Sequence, residues 1–213
     1  DIRTSCEVKK MLIDDAVVKQ VETTAGTFTA GNVVVATGGL SYPETGCTGD
    51  GYAWAKSCGH RLVTPEPALV PVKLKNPWTA DVSHFNLKNV KITLCVNGKK
   101  VDDRFGEAFF TRSGIGGPIV LDMSSRIRDA LKQGEVKLLL DLKPAVATEL
   151  FDKRLQRDLA EQSNHEFGHS LGKLLPRDMI PVFLRLVGID PKKKCHSVTR
   201  VERQRLLKLF KEF

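Results

Sequence analysis

His165, Glu166 and His169 fit the spacing His-Glu-x-x-His. In that pattern two imidazoles one helical turn apart hold a zinc ion, and the glutamate activates the metal-bound water. Gly172 extends the match toward the longer metzincin pattern. Such a site needs a regular helix and a third ligand. Gly168 and Gly172 weaken a helix here, and Leu175, where the third histidine would stand, has no ligand atom. Met179 comes too soon to form a Met-turn, and the remaining candidates, Glu202 and Glu212, sit in an otherwise basic segment. A zinc hydrolase is therefore carried only as a minor alternative. The expectation is no metal, with residues 165–169 forming a polar loop or helix start ahead of Leu171, Leu174 and Leu175.

The elements around this segment belong to a chain of 213 residues, 41% hydrophobic and 27% charged. That is enough for one large domain or two to three small ones. Apolar runs such as residues 33–36 are far too short to span a bilayer, and no secretory signal is legible. A start on Asp1 instead of methionine suggests a piece of something longer. Five cysteines (Cys6, Cys47, Cys58, Cys95 and Cys195) are scattered without a Cys-x-x-Cys pair, as expected of reduced thiols in a cytoplasmic protein. Net charge is +8, concentrated near the end in Lys192, Lys193, Lys194, Arg200, Arg203, Arg205, Lys208 and Lys211. A basic helical unit of this kind can meet nucleic acid. Without an accompanying aromatic or RNA-binding motif, a solvated face is the preferred reading and nucleic-acid binding the alternative.

Periodicity divides the chain into three parts. Residues 1–65 open with strands at 8–12, 17–23 and 27–29, then reach the continuous apolar stretch 33–36, the pattern of a strand buried on both faces. A Gly/Ser/Pro/Thr-rich loop follows, and a helix is expected over residues 52–57 with Gly59 as its stop. Residues 66–143 look mostly like β, with strands at 68–74, 90–96, 99–101, 108–111, 119–123 and 136–142 and an Asn97-Gly98 hairpin. Several short strands in one block favour a small barrel or curled sheet. From residue 144 the period is helical: Leu150, Phe151, Leu155 and Leu159 form one stripe, and Ile180, Phe183, Leu184 and Val187 another. Pro176 and Gly188 bracket the second helix, and Thr199 with Glu202 forms a capping box for a third. The fold class is α+β.

Strand, glycine turn and helix bring backbone amides close to a phosphate or a planar cofactor. Residues 33–60 carry that geometry in a specific string: Ala36, Thr37, Gly38, Gly39, Ser41, Pro43, Thr45, Gly46, Thr48, Gly49, Asp50, Gly51 and Tyr52 match A-T-G-G-x-S-x-P-x-T-G-x-T-G-D-G-Y. The chain resembles the BaiN/YhiN-like family of bacterial NAD(P)/FAD-dependent oxidoreductases. Residues 67–74, 87–100, 106–124 and the helical 171–191 extend the likeness over essentially the whole chain. Arg112 and Gly116 replace the histidine and serine that the family often shows in its barrel loop.

The resemblance implies part of an FAD-binding α/β domain (1–65), a β-barrel insert (66–143) and a helical-bundle insert (144–213). It implies FAD as cofactor, held in part by Ala36, Thr37, Gly38, Gly39, Ser41, Tyr42, Thr45, Gly46, Thr48, Gly49, Asp50 and Gly51. The substrate would be a small organic molecule, with NAD(P)H a candidate hydride donor, and Thr111, Arg112 and Gly114 could help form its pocket. No G-x-G-x-x-G between a strand and a helix is present. Gly114, Gly116 and Gly117 are the nearest glycines, but their spacing is wrong and they are expected to precede a strand. On this reading the 213 residues alone would bind FAD weakly or not at all.

Overall fold

The computed structural model describes residues 1–83 and 85–213, which divide into two compact units, Asp1–Glu66 and Pro67–Phe213. In the first, β1 (Val8–Asp14), β2 (Val17–Thr23) and β3 (Gly26–Phe28) form an antiparallel meander. Asp15 and Ala16 take positive φ of 48° and 59°, the mirror-image turn that suits the twist of paired strands. Helix α1 (Asp50–Ser57) completes the unit. Residues 33–36, expected as a buried strand, form no strand, and Val34 is 87% exposed. A strand is sheathed only where neighbours supply hydrogen bonds and covering layers, and no described residue pairs with this segment. Met11 alone among the unit's hydrophobic side chains is buried.

The second unit is built differently. Strands β4 (Val72–Lys73), β5 (Asn86–Val96), β6 (Lys99–Thr111), β7 (Gly114–Gly116) and β8 (Val136–Asp141) form one antiparallel sheet in the order β4-β7-β6-β5-β8. Asn97 and Gly98 turn the β5–β6 hairpin with φ of 49° and 78°. Register shifts between Leu87 and Val90 and between Leu94 and Cys95 add residues to one strand. Such bulges increase twist and curl the sheet into a half-barrel.

Three sequence expectations change here. The strand expected at 68–74 is only two residues long. The two expected at 99–101 and 108–111 are one continuous β6, whose Asp102, Asp103 and Arg104 are ion-paired with Arg104, Arg126, Asp122, Lys91 and Lys100. Residues 119–123, expected as a strand, begin α2 (Pro118–Leu131). Pro118 fits the first helical turn, where its missing N–H costs nothing. Ile119, Val120, Met123, Ile127 and Ala130 then pack one apolar face of the helix into the core it shares with the sheet.

The remaining helices are α3 (Thr148–Glu161), α4 (Phe167–Ser170), α5 (Ile180–Val187) and α6 (Arg200–Lys211). Phe151, Phe167, Phe183 and Phe210 are fully buried among them. Phe210 meets Phe151 edge-on at 5.1 Å and Phe183 at 4.9 Å, arrangements that add to simple area burial. α6 starts as the sequence indicates: the Thr199 hydroxyl accepts from the Glu202 amide, and the Glu202 carboxylate accepts from the Thr199 amide. Gly188 ends α5 in the left-handed conformation. Among the described residues no helix is long and apolar enough to cross a membrane.

Candidate functional site

Two loops carry the residues singled out for chemistry. In the first unit, the chain from Ala36 to Gly51 winds through a short 3₁₀ turn (Pro43–Thr45) into α1. The Thr45 hydroxyl donates to the Tyr42 carbonyl at 2.7 Å, and the Thr48 hydroxyl donates to the Asp50 carboxylate at 2.7 Å. The first bond closes the 3₁₀ turn, and the second fastens the loop to the start of the helix, where Asp50 also complements the exposed N–H groups. A Cβ at Gly38, which has φ 72°, would lie 2.6 Å from Cys47 Sγ; one at Gly39 would lie 2.9 Å from the Tyr52 hydroxyl oxygen. The bare glycines therefore serve the loop's own packing.

What the loop leaves open lies elsewhere on it. Val34, Leu40 and Tyr42 are 87%, 59% and 71% exposed. Ala36, Gly38, Ser41, Thr45, Gly46, Thr48 and Asp50 are exposed as well, and Thr37, Gly39, Gly49 and Gly51 half-buried. The Thr37 hydroxyl oxygen is buried and has no hydrogen-bond partner among the described residues. An unmatched buried hydroxyl beside an uncovered apolar surface fits one wall of a planar, hydrogen-bonding cofactor.

In the second unit, Thr111 pairs with Gly114 across the tight β6–β7 turn made by Arg112 and Ser113. The Arg112 carbonyl accepts from the Thr79 hydroxyl at 3.4 Å, and the Ser113 carbonyl accepts from the Leu74 amide at 3.0 Å. Arg112 is exposed and Thr111 half-buried, whereas Gly114 is buried where a Cβ would overlap the Val72 carbonyl. The glycines that follow lead into α2, not a strand. Gly117, at φ 104°, lets that helix start against the backbone of Ala108.

The motif at 165–169 is split. His165 lies in a turn, Glu166 is the N-cap residue bridging to Lys194, and His169 alone is on the four-residue α4. Among the described residues no three His, Cys, Asp or Glu side chains converge as metal ligands. Glu166 and Lys194 instead pin the loop before α6 to the start of α4.

Much of the terminal positive charge is neutralised in place. Lys193 Nζ donates to both Glu202 carboxylate oxygens at 2.8 Å, Arg203 pairs with Asp152 at 2.9 Å, and Lys211 with Asp141 at 2.9 Å. Lys193 first, and then the Thr199 amide, lower the Glu202 pKa to about 2, and Arg203 lowers that of Asp152. Lys192, Lys194, Arg200 and Arg205 are exposed, with no acidic partner among the described residues. A third feature, which periodicity did not reveal, is an apolar cleft of about 540 Å³ in the second unit, lined in part by Trp78, Ile92, Phe110 and Phe213. The aromatic content of the barrel was the one available signal.

Residues 66–213 match the family model described as HI0933-like protein barrel and H2TH domain. The chain belongs to this family. The HI0933-like match bears out the resemblance to BaiN/YhiN-like flavoproteins and the α+β barrel-plus-helices architecture. Curated relatives agree. The chain is 29% identical over 163 residues to the 3-dehydro-bile acid delta(4,6)-reductase of Clostridium scindens, covering 76% of this chain and 40% of that protein. It is 31% identical over 121 residues to the ribosomal RNA dihydrouridine synthase of Haemophilus influenzae, covering 56% and 29%. The ribosomal RNA dihydrouridine synthase of Escherichia coli matches at 28% over 148 residues, covering 70% and 34%. The chain thus spans less than half the length of the curated relatives it matches. It is part of a flavoprotein-related family of oxidoreductase-like proteins.

Proposed function

We propose that the chain is part of an FAD-dependent oxidoreductase of the cytoplasm that reduces a carbon–carbon double bond conjugated to a carbonyl group. The observation that carries this reading is the family membership of residues 66–213, together with relatives named for a reductase and for dihydrouridine synthases. The two names share one chemistry: each product differs from its unsaturated precursor by two hydrogens across such a bond. FAD, when bound, would supply the hydride chemistry, with NAD(P)H as the candidate source of electrons.

In this reading the domains are a partial FAD-binding domain over 1–65, a barrel insert over 66–143 and a helical insert over 144–213. The loop from Ala36 to Gly51 forms one wall for the cofactor. The Thr37 hydroxyl offers a hydrogen bond that the protein leaves unused, and Val34, Leu40 and Tyr42 give apolar surface that excludes water once covered. Thr111 and Arg112, at the exposed β6–β7 turn, are the substrate-side candidates. The test is the absorption spectrum of the complete polypeptide after gentle purification. Bands of bound oxidised flavin that bleach under NAD(P)H support the reading, and a colourless protein that does not take up added FAD overturns it.

A second reading concerns the substrate. Lys192, Lys194, Arg200 and Arg205 lie exposed without acidic partners among the described residues, and two relatives are named for ribosomal RNA. Both favour an RNA-borne target over a free small molecule. RNA binding that weakens steeply as salt rises, and that falls when these four cations are replaced by glutamine, supports it. Salt-independent binding, or none, removes it.

A further inference from the structure

A notch of about 540 Å³ opens between α4 and α5, lined by Gly168, His169, Gly172, Arg177, Ile180 and Pro181. Ile180 and Pro181 begin α5 and give the notch an apolar surface. The His169 side chain is 79% exposed, and Arg177 is exposed with no acidic partner among the described residues. Gly172 has no local reason to be glycine. Its φ is not in the left-handed region, and a Cβ there would meet nothing within 4 Å. Its missing side chain costs the turn some stability and leaves the notch open.

The notch adjoins the unpaired cations. The Gly168 amide donates to the Pro191 carbonyl at 2.9 Å, and the Phe167 amide donates to the Lys193 carbonyl at 2.8 Å. These bonds lay residues 191–194 beside α4, with Lys192 between the two bonded carbonyls and Lys194 bridged to Glu166. The Asp190 carboxylate accepts from the Lys192 amide at 2.9 Å, which fixes the loop further. Lys192 and Lys194 are both exposed.

Imidazole rings and guanidinium planes are surfaces on which unpaired RNA bases stack, and apolar side chains hold a base that has left its stack. A guanidinium also meets phosphate through paired hydrogen bonds. We propose that this notch seats one unpaired nucleotide of an RNA strand. The base lies against Ile180 and Pro181 between His169 and Arg177, while Lys192 and Lys194 meet the neighbouring phosphates. This rests on the RNA-borne target argued above, and adds where the strand is held and that it is unpaired there. Charge complementarity commits the seat to a strand instead of a free nucleotide. The exposed cations continue from the notch through residues 192 and 194 to Arg200 and Arg205 of α6, more than one nucleotide needs. A paired base inside an A-form helix has no free face to offer the notch.

Binding of a dye-labelled single-stranded RNA to the complete polypeptide, followed by anisotropy beside the duplex of the same sequence, tests it. Gly172→Leu fills the notch from a position with room for a side chain. It should weaken single-strand binding about tenfold and leave duplex binding unchanged. Arg177→Gln should weaken single-strand binding as well and lower its salt slope by about one. If both variants bind like the unaltered protein while Lys192→Gln with Lys194→Gln loses affinity, the RNA reading stands and the notch is overturned. If no RNA binds even at low salt, both fall. An equal loss for the duplex, or full displacement of the strand by adenosine monophosphate, also overturns the proposal. Should Gly172→Leu fail to fold, the Arg177→Gln result decides.

Discussion

The two units of this chain invest their apolar residues in opposite ways. Pro67–Phe213 buries a continuous core that runs from Val82 to Phe210, while Asp1–Glu66 buries Met11 and leaves Ile2, Val34, Leu40, Tyr42 and Val63 more than half exposed. Yet the first unit holds the more specific sequence string, residues 36–52, and the family model matches only residues 66–213. Local hydrogen bonds from Thr45 and Thr48 can shape a glycine-rich loop without a core beneath it. They cannot make its neighbourhood a sheathed strand. A signature can therefore be locally well formed on a scaffold that has little burial of its own to hold it.

Each unit contains one tryptophan, Trp54 in the first and Trp78 in the second, so fluorescence can follow them separately after Trp54→Phe or Trp78→Phe replacement. The largest expected effect is in the second unit. Phe210→Ala empties the centre of the aromatic cluster and should cost about 3–5 kcal/mol in denaturant unfolding followed by Trp78. A loss below about 1 kcal/mol would mean that the cluster is not the core it looks to be.

Lys211→Met comes next. The Lys211 ammonium donates to the Asp141 carboxylate and to the carbonyls of Lys143 and Val146, and its side chain is only 11% exposed. Removing it strands three acceptors, for a loss of about 2–3 kcal/mol by the same measurement.

Glu202 contributes less, and its contribution depends on pH. Its folded pKa is held at about 2, below the unfolded carboxylate value. The stabilisation is therefore present above the unfolded value and is lost as pH falls toward the folded one. Glu202→Gln should cost on the order of 1 kcal/mol at neutral pH after allowance for solvent screening. The difference from the unaltered protein should disappear as the pH is lowered toward 2. An unchanged difference at that pH would remove Lys193 and the capping box as its cause.

The smallest effect sharpens the contrast most. Val34→Ser, at a site 87% exposed, should change the stability of the 213-residue chain by less than about 0.5 kcal/mol. In the complete polypeptide the same replacement should weaken flavin retention, if this surface is a cofactor wall. Normal retention would count against that wall.

Elements set by neighbours in sequence were legible. The Asn97-Gly98 turn, the Thr199 capping box and the Gly188 stop depend on a few local dihedrals and hydrogen bonds, and all three are found where the residues indicated. Residues 119–123 show the limit of a short window. Over five positions Ile-Val-Leu-Asp-Met reads as a strand, but over fourteen the spacing of Ile119, Met123 and Ile127 is helical. The candidate flavin residues were nameable from their string, while the cleft was not, because its walls come from segments far apart in the chain.

The sequence by itself determined the turns, the caps, the helical stripes and the family. Those depend on dihedral preferences and periodicities that act within about one or two turns of chain. Only the tertiary structure decided that β6 is a single long strand carrying charge, that residues 33–36 go unsheathed, and that β4 and β8 end beside one another across an apolar cleft. Strand pairing and burial are properties of what lies across from a segment, and that partner is fixed by the packing of the whole unit.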